Sequence, residues 1–229
     1  MALSAVRLVV AVPAVIALTW TALYAWRTGS ADTVVQRTAR EIGTWVSSGA
    51  DPAAQTVGWV QADLQDAARV LPRDPTVEEM LGTLAERQRE RPEYLDEALV
   101  HFTRAVALRP TSPYAWASVV RVKYLKGDTG PTFEAAVRRA TQTGPEEIQV
   151  QLTVADYGLA VWDEVAPETR QAVEAMVTGA MKQYPAYILQ VAERRGRLAI
   201  ACRHIADAPR RTDAPWRKSC ESRERETIS

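Results

Sequence analysis

The sequence predicts an all-α protein, an N-terminal transmembrane helix followed by a solenoid of stacked helical hairpins. Three observations predict it. An uncharged run of 19 residues lies near the N-terminus, from Leu8 to Trp26. Beyond it, nine of the prolines, from Pro52 to Pro209, punctuate the chain at intervals of 14 to 24 residues. Within that beat, an alanine stands five residues before a proline four times.

The run LVVAVPAVIALTWTALYAW is near the length that crosses a bilayer core as a helix. Arg7 and Arg27 bracket it, and Trp20, Tyr24 and Trp26 cluster at its end, where an interfacial aromatic belt would sit. The run exceeds the usual signal-peptide core, and no A-x-A site follows it, so the reading is an uncleaved anchor. Arg27, Arg37 and Arg40 beyond the run are partly offset by Asp32 and Glu41, and the positive-inside count leaves the orientation open. The balance of 28 basic against 28 acidic residues excludes nucleic-acid binding by bulk charge. A hydrophobic share of 47% excludes a mostly disordered chain.

Each interval from Pro52 to Pro209 fits one helix of average length and a turn, with proline opening the helix or following its end. Ala98, Phe102, Ala105 and Leu108 fall on one face at helical spacing. The alanine–proline pairs are Ala67/Pro72, Ala105/Pro110, Ala140/Pro145 and Ala180/Pro185. Three residues before each alanine stands Leu64, Phe102, Val137 or Val177; seven before it stands Val60, Ala98, Phe133 or Val173. A register recurring every 35–40 residues is the signature of stacked helix pairs.

The stretch YLDEALVHFTRAVALRP, with Ala98, Phe102, Ala105 and Pro110, resembles the second helix of the tetratricopeptide repeat family. Leu81-Gly82, Trp116 and Gly127-Asp128 match further positions of that family. The resemblance covers about residues 58–185 and is strong for one repeat. It implies three or so irregular repeats, in which small alanines let helices approach closely and proline stops the second helix. Before the repeats, Val34–Val46 reads as an amphipathic helix; after them, Tyr187–Ile205 reads as one long capping helix with Tyr187, Val191, Leu198 and Ile205 on its apolar side. The expected organisation is therefore an anchor over 1–30, a linker helix over 31–57, tetratricopeptide-like repeats over 58–185, a capping helix over 186–206 and a disordered tail over 207–229.

No catalytic constellation emerges. The phosphate-binding, dinucleotide-binding, zinc-protease and nucleophile-elbow motifs are all absent. Cys202 and His204 are two apart on an expected helix, so they point about 200° apart and form no dyad. His101 reads as a surface histidine. Glu78-Glu79 and Glu146-Glu147 sit in first helical turns, where they favour the helix dipole. No metal, no cofactor and no enzymatic activity are expected. Whether Cys202 and Cys220 pair is left open by the residues alone.

The resemblance further implies a concave face built from the first helix of each pair. On that face it places Tyr114, Arg121 and Tyr124, with Gln149 and Asp156 on the next helix, as a partner-binding groove. With asparagine absent, the family's mode of clamping a peptide carboxylate is not expected. In layout and length the chain also resembles single-span accessory proteins of bacterial exopolysaccharide biosynthesis clusters. That second resemblance implies a bacterial inner-membrane protein, held through residues 8–26, with a periplasmic C-terminal domain. Its partners would be other membrane or periplasmic proteins of a polysaccharide assembly system. A cytosol-facing adaptor and a glycan-acting enzyme using paired carboxylates are the alternatives.

Overall fold

The computed structural model describes residues 2–49, 52–209 and 220, with side chains from Pro13 onward. Among these residues it is all-helical, with no strand. Two compact units divide the chain, residues 1–84 and 85–229.

The first unit holds α1 (Ala2–Ser48), α2 (Ala54–Val70) and most of α3 (Pro75–Arg87), which runs across the boundary after Leu84. The buried residues of α1, Ala31, Val35, Thr38, Ile42 and Trp45, recur at three- and four-residue spacing and so form one stripe. They share a core with Val57, Val60, Leu64 and Ala67 of α2 and with Val77, Met80, Leu81 and Leu84 of α3. Anchor and linker are thus one continuous helix, with no break near residue 30.

Among the described residues no helix is long and apolar enough to cross a membrane. This overturns the transmembrane segment, and with it the single-span inner-membrane placement and the periplasmic C-terminal domain. Leu8–Val12 lie outside the described side chains. The described part of the run, Pro13–Trp26, carries Thr19, Trp20, Thr21 and Tyr24, which lower its mean hydropathy.

The second unit begins with the end of α3 and continues through α4 (Tyr94–Leu108), α5 (Pro113–Leu125), α6 (Pro131–Thr143), α7 (Ile148–Ala160) and α8 (Pro167–Gln183). It ends in α9 (Pro185–Arg194), α10 (Leu198–Cys202) and a 3-10 turn over Ile205–Asp207. Helices α5 and α6 pack as one hairpin and α7 and α8 as the next; α5, α7 and α9 form one row, α6, α8 and α10 the other. Prolines occupy the first turn of α5, α6, α8 and α9, where a missing N–H leaves no bond unmade.

The alanine–proline register has a structural cause. The carbonyls of Ala67, Ala105, Ala140 and Ala180 accept the last helical bond, from the N–H of Leu71, Arg109, Gly144 and Tyr184, at 2.8, 2.8, 3.0 and 2.7 Å. Proline follows each of those residues, and its ring disfavours the helical conformation in the residue before it. Helices α2, α4, α6 and α8 therefore end alike. Leu64, Phe102, Val137 and Val177 are each at most 1% exposed, and Val60, Ala98, Phe133 and Val173 are buried with them.

The long capping helix does not form. Gly196 adopts φ +67° directly after α9, and the Arg197 N–H bonds back to the Ala192 carbonyl at 2.7 Å, a left-handed helix stop. Gly127, at φ +72°, closes α5 the same way, with Asp128 N–H on the Lys123 carbonyl. Val191 and Leu198 are buried as expected, but Tyr187 is half-exposed. Cys202 and Cys220 are joined by a disulfide, with Cα atoms 5.5 Å apart. The rest of the expected disordered tail, from residue 210 on, lies outside the described residues.

Candidate interaction face on the first helices

Helix α5 presents Tyr114, Arg121 and Tyr124 two turns and then one turn apart, and the structure separates them into two places. Tyr114, at the N-terminal end, donates its hydroxyl to Glu147 Oε2 at 2.5 Å. That hydrogen bond, then burial, then the carboxylate charge raise its phenol above the ordinary pKa. Gln149 is exposed at the same end of α7. It stands two turns, about 10 Å, from Asp156 and takes no part in the cluster that Asp156 joins.

That cluster lies at the C-terminal ends of α5, α7 and α9. Arg121 forms a bidentate pair with Glu86, its Nε donating to Oε1 at 2.8 Å and its terminal nitrogen to Oε2. Burial opposes the charge on Arg121, yet the Glu86 carboxylate outweighs it and holds the guanidinium above its ordinary pKa. Tyr124 packs against Tyr157, ring centroids 4.9 Å apart and tilted by 44°. The Arg195 guanidinium lies 5.4 Å from the Tyr124 ring centre and 5.9 Å from that of Tyr157. Arg195 donates to Asp156 Oδ1 at 2.8 Å and to the Tyr124 hydroxyl at 3.3 Å. Arg194 approaches the same carboxylate oxygen to 3.7 Å. Cation–π contact and a shared carboxylate thus fix two tyrosines and an arginine in one geometry.

Arg121, Tyr124 and Asp156 are therefore brought together, while Tyr114 and Gln149 are not. Sequence reasoning missed Tyr157 and Arg195. Tyr157 sits one residue past Asp156, just off the residues that the resemblance assigns to the groove. Arg195 reads as mid-helix unless Gly196 is taken as a helix stop, which is the signal that could have found it.

Tyr157 carries a pH prediction. Burial raises its phenol above the ordinary value of 10.0, with Arg121 opposing and Asp156 adding to the shift. The unfolded chain loses this proton near pH 10, while the folded chain keeps it. The stabilising contribution is complete below that pH and disappears as pH climbs through the folded value. Urea unfolding at about pH 9 and about pH 11 should show a smaller alkaline loss in Tyr157→Phe than in the parent chain. Equal losses would show that the ring is not held neutral by burial.

The chemical inventory elsewhere is sparse. Among the described residues no group of three His, Cys, Asp or Glu is placed to hold a metal ion. Cys202 is bonded to Cys220, and His204 Nδ1 lies 3.0 Å from Thr178 Oγ1. In the first unit a groove of about 280 Å³ is lined by Arg27, Ser30, Val34, Asp63, Asp66 and Val70. Its two carboxylates already pair with Arg37 and Arg69. No family model matches the chain, and no curated protein matches it either.

Proposed function

We propose that the chain is a helical-repeat scaffold that captures a segment of a partner protein on the face formed by α5, α7 and α9. The observation that carries this reading is the Tyr124–Tyr157–Arg195 cluster. Tyrosine and arginine are the side chains that dominate binding energy at protein interfaces, and here neighbouring residues hold them in place before any partner arrives. The tetratricopeptide resemblance supports the same face, since it implies a groove lined by first helices.

In-cell crosslinking identifies the partner, and titration of the purified pair then measures its affinity. Tyr124→Ala should weaken binding by about 30-fold, the effect of losing about 2 kcal/mol at an interface anchor. Gln171→Ala, on the exposed side of α8, should leave binding unchanged. The reading fails if Tyr124→Ala binds as the parent does with its melting temperature unaltered. It fails equally if Asp156→Ala abolishes a measured glycan-cleaving activity.

A further inference from the structure

The hairpins of the second unit do not all close alike. Helices α6 and α8 of the second row have 13 and 17 residues, whereas α10 has five. A helix of five residues cannot sustain itself, because nucleation outweighs what so few bonds return. Yet α10 packs on α8 and α9, with Leu198 and Ala201 buried in the same core as Val177, Met181, Ile188 and Ala192. In a stack whose repeats bury their apolar sides only on neighbours, the last layer needs such a cover.

Among the described residues the polar contacts on this cover are exposed or incomplete, and the Arg197–Asp163 pair leaves its carboxylate side chain 71% exposed. Arg203 pairs with Glu174 at 2.5 Å, but the arginine side chain is 60% exposed, so the pair adds little. His204 meets Thr178 through Nδ1, while its buried Nε2 finds no partner among the described residues, which offsets that bond. Cys220 is 3% exposed and belongs to the same core. Its disulfide to Cys202 closes a loop of sequence separation 18. A loop of that size shifts the balance between held and released chain on the order of a hundredfold.

We propose that α10 and the turn behind it form a redox latch over the end of the repeat stack, closed by the Cys202–Cys220 disulfide and released by a dithiol reductant. In the releasing step a thiolate of the reductant attacks one sulfur of the disulfide, and the other cysteine leaves as a thiolate. The reductant's second thiol then resolves the mixed disulfide. The protein gains two electrons and two protons, and the dithiol leaves as its own disulfide. Release uncovers the apolar surface of α8 and α9 without dismantling the hairpins before them.

Hydrogen exchange on the full chain, oxidised and then treated with dithiothreitol, tests this. Protection over residues 198–207 should fall on the order of a hundredfold, at least about tenfold more than over α5–α8, and return on reoxidation. The double variant Cys202→Ser/Cys220→Ser should show the low protection without reductant. Unchanged protection over 198–207 overturns the proposal, because the cover would then hold without the bond. A loss of equal size across α5–α8 also overturns it, since the disulfide would then be a global staple.

Discussion

Phe102→Ala lowers the unfolding free energy of the second unit by about 3–5 kcal/mol, the range for removing a fully buried aromatic ring and leaving its cavity. The ring is 1% exposed and shares its core with Ala98, Ala105, Val120 and Phe133. Most of those neighbours are backbone-bound alanines and short branched side chains, which cannot swing into the vacancy. The upper half of the range is therefore expected. Damage should also spread, because a repeat that loses one neighbour loses the surface that buries its apolar side. Urea unfolding gives the magnitude, and exchange in α5 and α6 should rise together with exchange in α4. A loss below about 1 kcal/mol would show that Phe102 does not hold the hairpins together.

A single added methyl group gives the second large effect. A Cβ on Gly158 would lie 2.3 Å from Val173 Cγ2 and 3.0 Å from its Cγ1, so α7 and α8 meet through the missing side chain. Two terms compete in Gly158→Ala. Helix propensity favours alanine by up to about 1 kcal/mol, while overpacking a filled core costs about 1–3 kcal/mol. A separation of 2.3 Å is well inside van der Waals contact, and Val173 is fully buried, so sterics wins and a net loss of about 2 kcal/mol is expected. Val173→Ala vacates the space the new methyl group needs. The double variant should therefore lose less than the two single losses added together, by about 1 kcal/mol or more. Strict additivity would mean that the helices move apart instead.

How far the sequence could be read depended on whether a feature had a local cause. The second-helix register was legible because it is written within five residues: an alanine whose carbonyl takes the last helical bond, then a proline that forbids the next. Burial of Phe102 and Phe133 followed from the same spacing. The break in the expected capping helix was not legible from apolar periodicity, because Gly196 stops the helix through a backbone conformation that periodicity does not report. The interaction cluster was half legible for a related reason. Arg121, Tyr124 and Asp156 lie where the tetratricopeptide resemblance implies a concave face, whereas Tyr157 and Arg195 join the cluster through contacts between hairpins distant in sequence. For the N-terminal run, absence of charge was visible, but absence of charge is a weaker property than apolarity. The described residues of that run carry two threonines, two tryptophans and a tyrosine.

The shared ending of α2, α4, α6 and α8 bears on how such a chain tolerates rearrangement. In the α5–α6 hairpin, proline marks the start of each helix and, in α6, an alanine carbonyl marks the finish, so the boundary signals travel inside the segment itself. Cutting or duplicating the chain at those prolines would transfer a module with its own punctuation intact. Length could then change by whole hairpins while each joint keeps its geometry.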